Sequence, residues 1–277
     1  MKQKKLQKIR KEKVFLIFKK EIKEMLKSKE ILATIVIMPV MFSVLIPASM
    51  VTMNFAEEDG TGDLGSLSYI FRNLAPYWDE LNDLQKVTLL QADMYLAFLI
   101  MIPLIVPMAI SGDSIAGEKE RKTIESLLAA PISETELFLG KTLAASAPSI
   151  VISWIAEIIY IIFTDAIIYN VMDGRIVLPD IFAGIMFFLL IPTQTILSTL
   201  IMTSISSKSK GSREAMQKSG LLSTPLIIFV SGIVFVPLLI HPLLCLVSEV
   251  ILILLIILIM RVAIRGFNRE KLISSGS

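Results

Sequence analysis

The chain has 277 residues, of which 54% are hydrophobic and 19% are charged, and its net charge at pH 7 is +2. The charged residues are segregated and long stretches carry none, which excludes an ordinary soluble globular domain. Several apolar runs reach the roughly 20 residues that a membrane-spanning helix needs. One cysteine and one histidine provide too few ligands for a Cys/His zinc site. We therefore predict an all-α membrane protein.

The apolar runs predict a six-transmembrane-helix bundle forming a single domain. The predicted spans are 31–54, 94–112, 142–164, 181–205, 219–240 and 242–262. The last two come from one run, Ser219 to Met260, which as a single helix would be roughly 60 Å long, twice the hydrocarbon thickness. We expect that run to bend at Val236–Pro242. Pro39 and Pro47 should kink the first span.

The distribution of Lys and Arg predicts the orientation. They are concentrated in the segments 1–30, 112–141, 205–219 and 261–277. The opposite segments hold only Arg72, Lys86 and Arg175. By the positive-inside rule, both termini are cytoplasmic in a multi-pass protein of the plasma membrane, with 263–277 as a cytoplasmic tail. Residues 55–93 are then an acidic outer loop, with a short helix near 79–90.

The first 30 residues contain a candidate surface helix. Apolar residues at 14, 15, 18, 22, 25 and 26 follow helical spacing, with lysines on the other face. Such a pattern predicts an amphipathic helix lying at the membrane interface. The alternative is a basic tail that only sets the orientation of the first span.

The segment 113–141, between the second and third spans, is densely charged. The turn residues Gly112–Ser114 are expected to end the second span and to cap a new helix. In that helix Glu118 and Lys122 stand at the i,i+4 spacing of a favourable ion pair. Pro131 should end it.

A small apolar patch interrupts the charges of this segment. It consists of Ile124, Leu127 and Leu128, spaced i, i+3, i+4. The patch could pack against the protein's own bundle or enter a groove on a cytoplasmic partner, and these residues alone favour neither. Ser133 and Glu136 then form an S-x-x-E capping box, which starts the helix that leads into the third span.

The stretch DSIAGEKERKTIESLLAAPIS, followed by ELFLGK, resembles the signature of the permeases of type-2 (ABC-2) ABC exporters. The residues that match are Asp113, Gly117, Glu118, Lys119, Glu120, Arg121, Thr123, Leu127, Leu128, Pro131, Gly140 and Lys141. Lys122 departs from the pattern, since many members have glycine before the threonine. The surface helix and the six-span layout are also similar to that family, so the resemblance covers nearly the whole chain.

The resemblance implies a mechanism and partners. The segment after the second span would be a coupling helix, Glu118–Leu128, that docks into a separate ABC ATPase subunit. The residues implied in this coupling are Asp113, Gly117, Glu118, Lys119, Glu120, Arg121, Thr123, Ile124, Leu127 and Leu128. The permease chain would work in the lipid membrane as a homodimer or a heterodimer, and members of the family are linked to sodium extrusion and to drug efflux. No nucleic-acid partner is expected.

The tripeptide Gly140-Lys141-Thr142 is similar to the end of a phosphate-binding loop. That loop requires G-x-x-x-x-G-K-[ST] after a strand, and the first glycine position holds Thr135 in what is predicted to be a capped helix. We therefore expect this chain to be no enzyme and to hold no cofactor or metal, with ATP bound by the partner subunit.

Two acidic residues fall within predicted spans, where a charge costs roughly 2.5–3.5 kcal/mol or more. Glu157 and Glu249 are expected to lie at similar depths, and with Gln194 they form a candidate translocation path for Na⁺ or a cationic drug. The alternative is a pair of protonated, hydrogen-bonded acids that hold helices together. Asp93 and Asp165, at span ends, are expected to be solvated.

Two other classes of protein remain open. A secondary transporter driven by an ion gradient could use Glu157 and Glu249, although it would leave the coupling-helix signature unexplained. An intramembrane enzyme is the least favoured, because its only nucleophile–base pairing would be Cys245 with His241.

Overall fold

The computed structural model describes residues 10–54, 77–123, 131–215, 217–218, 221 and 242–266, and the regular elements in those ranges are helices. They are α1 (Lys11–Met25), α2 (Lys29–Val40), α3 (Ile46–Asn54), α4 (Asp83–Phe98), α5 (Met101–Glu120), α6 (Glu134–Ile168), α7 (Ile181–Ile185), α8 (Ile191–Lys208) and α9 (Pro242–Gly266). A 3₁₀ turn, Trp78–Glu80, precedes α4.

Five helical segments of the described chain are long and apolar enough to cross a membrane. They are Lys29–Met50, Asp83–Glu120, Glu134–Ile168, Ile181–Lys208 and Leu246–Ala263. They correspond to the predicted first, second, third, fourth and sixth spans. The predicted fifth span, 219–240, lies outside the described residues, as do the predicted bend and most of the tail.

The second helical segment is much longer than the sequence predicted. The prediction placed residues 55–93 in an outer loop with a short helix near 79–90; α4 begins at Asp83 and continues to Phe98, so this helix is present but runs on to the second span. A capping box starts it: the Asn82 side chain accepts from the Gln85 N–H at 2.8 Å, and the Gln85 side chain accepts from the Asn82 N–H at 3.1 Å. This reciprocal pair satisfies two donors at the helix start.

A short break separates α4 from α5 at Leu99–Ile100. Pro103 explains it, because its ring would clash with the Leu99 carbonyl in a continuous helix. By contrast, the turn predicted at Gly112–Ser114 does not exist, and α5 runs through these residues to Glu120. A glycine within a helix is tolerated when the surrounding packing is good, and Gly112 is buried here.

Two spans contain a π-helical turn, and each turn ends two residues before a proline. Met41–Leu45 joins α2 to α3 ahead of Pro47, and Met186–Leu190 joins α7 to α8 ahead of Pro192. Proline lacks the N–H that would bond four residues back, and a wider turn makes room for its ring. The kink predicted for the first span therefore takes the form of a π turn.

The helical segments at the centre of the bundle are more buried than those at its periphery. Most residues of the α4–α5 and α7–α8 segments are buried, whereas few in the first and last described spans are. α5 and α8 contact each other along their lengths. α1 packs across the start of α6, where Gly140 permits close approach: a Cβ there would lie 2.7 Å from the Ile17 Cβ.

Candidate functional site

The end of the bundle that carries α1 and the last turn of α5, called here the α1 end, contains a buried ion-pair cluster. The Lys141 side chain on α6 is 0% exposed. Its Nζ lies 2.8 Å from Glu21 Oε1 on α1 and 3.1 Å from Glu118 Oε2 on α5. It also donates to the Ser114 carbonyl at 2.6 Å. One ammonium group therefore joins three helices.

Lys20 adds a second positive charge to this cluster. Its Nζ lies 2.5 Å from Glu118 Oε1 and 3.3 Å from Glu24 Oε1. Partial burial acts to lower the pKa of Lys20, but the hydrogen bond and charge of Glu118, with Glu21 and Glu24, raise the pKa overall. Lys20 thus acts as a cation in the cluster.

Three carboxylates of the cluster are the described residues whose spacing could suit a metal ion. Oxygens of Glu21, Glu24 and Glu118 lie within 4.8 Å of one another. The ammonium of Lys20 already contacts all three, at 3.5, 3.3 and 2.5 Å. A metal would have to displace this ammonium, so the arrangement fits an ion-pair cluster better than a metal centre.

The last turn of α5 also bonds to α8. Lys119 is 5% exposed, and its Nζ donates to the carbonyls of Ser207 at 2.6 Å and Ser209 at 3.1 Å. The Ser212 N–H donates to Glu120 Oε2 at 3.1 Å. Consecutive residues of α5 therefore connect to different neighbours: Glu118 to α1 and α6, Lys119 and Glu120 to the end of α8 and the chain beyond it.

The helix predicted over Glu118–Leu128 does not continue as one element. α5 ends at Glu120, and Lys122 adopts a positive φ of 57°. The Glu118 carbonyl accepts from the Thr123 N–H at 2.9 Å, which closes the turn. The predicted Glu118–Lys122 pair is also wrong, because Glu118 binds lysines of other helices. Ile124, Leu127 and Leu128 lie outside the described residues.

The remaining residues implied in coupling lie on the last turns of α5 or directly after it. Asp113 and Gly117 belong to the helix, and Gly117 is buried. Glu120, Arg121 and Thr123 are exposed around the turn. The structure therefore gathers these residues at one end of the bundle, with Glu118 and Lys119 turned inward.

The described chain resumes at Pro131, beside α1. Glu136 accepts from the Arg10 N–H at 2.9 Å and completes the predicted capping box with Ser133. Lys13 donates to the Pro131 carbonyl. Gly140-Lys141-Thr142 lies within α6, with the Lys141 amine held in ion pairs, so this stretch is not a phosphate-binding loop.

Two neighbouring cavities open at the α1 end. One, of about 360 Å³, is lined by Glu24, Lys27, Ile110 and Ala144 together with the cluster acids. The other, of about 520 Å³, is lined by Glu30, Thr34, Ser212 and Arg213. Both are bordered by Ser28, Ile31 and Arg121. Their walls carry charges of both signs beside apolar side chains.

The predicted translocation residues are buried in the spans. Glu157 and Gln194 are 0% exposed and Glu249 is 1% exposed. Within the described chain, neither carboxylate oxygen of either glutamate has a hydrogen-bond partner, and neither amide atom of Gln194 has one. Buried polar groups are nearly always paired, so each of these side chains needs an explanation.

Different described contacts position the two glutamates. Trp154 Nε1 donates to the Phe187 carbonyl at 2.7 Å, which sets the register of α6 against the segment running in the opposite direction. Glu249 lies beside Thr193, whose hydroxyl donates to the Leu189 carbonyl at 2.8 Å. Glu249 is thus beside α8, whereas Glu157 lies one turn beyond Trp154 on α6. That the two glutamates lie at similar depths stays a prediction.

A second group of acids lies at the end of the bundle opposite α1. Asp93 on α4 is 5% exposed, so the expectation that it is solvated is wrong. Asp165 is half-buried and accepts from the N–H groups of Val177 and Leu178, both at 3.2 Å. Asp180, the N-cap of α7, lies within electrostatic range of Asp93 and Glu157.

Two cluster members could not be recognised from the sequence as partners in an ion pair. Glu21 stands among several acids and lysines of α1, and Lys141 belongs both to the exporter-permease signature and to the stretch that is similar to a phosphate-binding loop. The position of Lys141, at the start of a long apolar run, was the available hint that this lysine is buried, because a buried charge needs a partner of opposite charge.

The comparison with known proteins agrees with this architecture. A family model described as ABC-2 family transporter protein matches residues 15–244, which include most of α1, all of α2 to α8 and the first residues of α9. No curated protein matches the chain, and no solved structure does. The chain is a multi-pass membrane protein that belongs to the ABC-2 family of transporter proteins.

Proposed function

We propose that this chain is the membrane-spanning permease subunit of an ATP-driven ABC exporter. The observation that carries the proposal is the family match over residues 15–244. The α1 end supports it, because the described chain on both sides of residues 124–130 is bonded there. Glu118 and Lys119 bind neighbouring helices before this segment, and the Ser133–Glu136 capping box follows it. A separate ATPase subunit docks on the segment that follows α5, and ATP binds to that subunit.

The orientation follows from the same assignment. The α1 end faces the cytoplasm of the cell, and the end with Asp93 and Asp180 faces outward, as the distribution of Lys and Arg predicts. Two permease chains, identical or related, work with two ATPase subunits in the plasma membrane. The exposed apolar side chains of the outer helices then face lipid or the second permease chain.

The substrate we propose is a cation, either Na⁺ or a cationic drug. Glu157, Gln194 and Glu249 support this, because their buried oxygens have no partner within the described chain. The two glutamates serve as positions along one path for the cation. A cation passing them would offset the cost of their burial.

A transport measurement tests this assignment. Inside-out vesicles that carry the chain with its accompanying ATPase are given radioactive Na⁺ or, separately, ethidium as a probe, while the proton gradient and the membrane potential are dissipated by ionophores that do not carry Na⁺. We expect ATP-dependent accumulation of one probe, and its loss in the Glu157→Gln variant with the amount of protein unchanged. Normal accumulation by that variant would remove Glu157 from the path.

The second candidate is a secondary transporter driven by an ion gradient. The two buried, unpartnered glutamates favour it, since such carriers use intramembrane carboxylates as ion sites. The same vesicles distinguish the two: accumulation that follows an imposed gradient and ignores ATP would support this alternative. Accumulation that requires ATP while gradients are clamped would support the exporter.

A further inference from the structure

The larger of the two cavities at the α1 end, of about 520 Å³, lies between three parts of the chain and is called here the α2 cavity. The start of α2, the end of α5 and the chain after α8 each contribute to its wall. Its described lining consists of Ser28, Glu30, Ile31, Thr34, Ala109, Glu120, Arg121, Ser212, Arg213 and Gln217. Pockets that bind small ligands span roughly 300–1,000 Å³, so the α2 cavity has room for a ligand or a lipid headgroup.

The charged side chains of the α2 cavity balance one another. Glu30 and Glu120 supply two carboxylates, and Arg121 and Arg213 supply two guanidinium groups. Glu120 Oε2 accepts from the Ser212 N–H at 3.1 Å, which places this carboxylate beside the segment that carries Arg213. Because the charges of the four side chains sum to zero, the cavity favours a ligand with charges of both signs over a purely anionic one.

The acids of the smaller cavity are already in contact with cations. Glu21 and Glu118 contact the buried Lys141 amine, and Glu24 contacts Lys20. A ligand ammonium would have to displace those lysines. In the α2 cavity, by contrast, Glu30 and Arg213 are exposed, so a ligand can reach both of them.

The α2 cavity lies where the first span begins, since Ser28 is the N-cap of α2. One side of this span carries residues spaced three or four apart, namely Glu30, Thr34, Ile37 and Met41. That spacing places them along one face of the helix. Ile37 and Met41 are exposed, so an apolar chain can run from the cavity along the span.

We propose that the α2 cavity binds the headgroup of phosphatidylethanolamine from the surrounding membrane. Arg121 and Arg213 hold the phosphate, because a guanidinium donates to phosphate oxygens through paired N–H groups. Glu30 and Glu120 accept from the ammonium, and the acyl chains lie along the exposed face of the first span. Basic pockets between membrane helices on the cytoplasmic side are known lipid-headgroup sites. The inference goes beyond the proposed exporter function and requires only that the chain spans a membrane.

The charges of the cavity distinguish three common phospholipids. Phosphatidylglycerol carries the phosphate without a cation, so Glu30 and Glu120 would repel it. Phosphatidylcholine carries a quaternary ammonium that has no N–H to donate to a carboxylate. Phosphatidylethanolamine carries the phosphate and an ammonium with three N–H donors, as a lysine side chain has. It is therefore the lipid that satisfies both pairs of side chains.

Native mass spectrometry of the tagged full chain, stripped of lipid in detergent, measures this ranking. The chain is titrated with the three phospholipids, which have identical acyl chains, and with soluble glycerophosphoethanolamine as a competitor. We expect phosphatidylethanolamine to bind about tenfold more tightly than either other lipid, the usual effect of losing one hydrogen bond to a charged group. The soluble competitor should leave the lipid bound. No ATPase or ATP is present, so the result is independent of the exporter assignment.

Two variants with matched controls locate the binding in the α2 cavity. Arg213→Gln should weaken binding of phosphatidylethanolamine about tenfold, whereas Lys210→Gln, an exposed cation nearby that does not line the cavity, should not. Glu30→Lys should reverse the preference, so that phosphatidylglycerol binds more tightly than phosphatidylethanolamine. Glu12→Gln, an exposed acid of α1 outside the cavity, should keep the original preference. A misfolded variant would lose affinity for every lipid, so a gain for phosphatidylglycerol can come only from a folded site.

Several results would overturn the proposal. In the unaltered chain these are equal affinity for phosphatidylethanolamine and phosphatidylcholine, tighter binding of phosphatidylglycerol, or displacement of the lipid by glycerophosphoethanolamine, which would indicate a site for a soluble compound. In the variants they are unchanged affinity in Arg213→Gln or an unchanged preference in Glu30→Lys. If Arg213→Gln does not fold, Glu30→Lys decides alone. Failure of both variants to fold would assign the two side chains to folding and overturn the proposal as well.

Discussion

Lys141 Nζ lies 2.8 Å from Glu21 Oε1, and the lysine side chain is 0% exposed. The contact joins an N-terminal helix to a membrane span 120 residues further along the chain. Because Glu118 contacts the same amine at 3.1 Å, the packing of α1, α5 and α6 depends on one buried charge. Removing this charge would leave Lys20 as the one described cation in contact with the carboxylates of the cluster.

Lys141→Met should therefore destabilise the protein by about 3–5 kcal/mol, the typical cost of breaking a buried ion pair. Adding Glu118→Gln should recover part of this loss, because the double variant has one buried negative charge fewer for Lys20 to balance. Unfolding midpoints in detergent measure both effects. Equal midpoints for the single and double variants would show that Glu118 and Lys141 do not interact energetically.

Gly140 and Gly184 provide a matched pair of substitutions to alanine. At Gly140 the new Cβ would lie 2.7 Å from the Ile17 Cβ, so overpacking should cost about 1–3 kcal/mol and loosen α1 from α6. At Gly184 nothing lies within 4 Å, and alanine should be neutral or stabilising by up to about 1 kcal/mol. Thermal midpoints of both variants check this, and equal effects would contradict the close packing at Ile17.

Asp180 predicts a pH dependence of stability. Burial raises the pKa of its carboxyl, although the N–H groups of Ala183 and Phe182 act in the opposite direction. The folded state thus binds the proton more tightly than the unfolded state, and stability should fall as pH rises above the ordinary range of aspartate.

The variant Asp180→Asn isolates this contribution and retains a good N-cap for α7. We expect the increase in thermal midpoint between pH 7 and pH 5 to be smaller in this variant than in the unaltered protein. Glu80→Gln is the control, because Glu80 is exposed at the same end and pairs with Arg175. If the thermal midpoint of Asp180→Asn rises between pH 7 and pH 5 by as much as that of the unaltered protein, Asp180 is not the source of the pH dependence.

The helical membrane architecture could be predicted because hydrophobic runs and segregated charges are local features. The start of the helix at Glu134 was also predictable, since the capping box of Ser133 and Glu136 lies within four consecutive residues. The end of α5 was mispredicted for the opposite reason. Gly112–Ser114 has the composition of a turn, but the packing of α8 against it, through the Ser206 hydroxyl, keeps it helical.

The buried cluster could not be predicted, because its members are distant in sequence. Glu21, Glu118 and Lys141 meet only once α1 crosses the start of α6. The relative depth of Glu157 and Glu249 had the same difficulty: it depends on where α9 lies against α8, which the spacing from span ends does not determine. Interhelical register is a property of packing rather than of any one segment.

The exporter assignment requires a separate ATPase that docks on the segment after α5, and purification tests this requirement directly. The tagged chain is extracted gently from its native membrane, and the proteins that accompany it are identified. We predict a soluble ATPase, lost when Leu127 and Leu128 are replaced by Ser and retained when the exposed Lys122 is replaced by Gln. A chain that emerges alone, under conditions that preserve other ABC complexes, would contradict the exporter assignment.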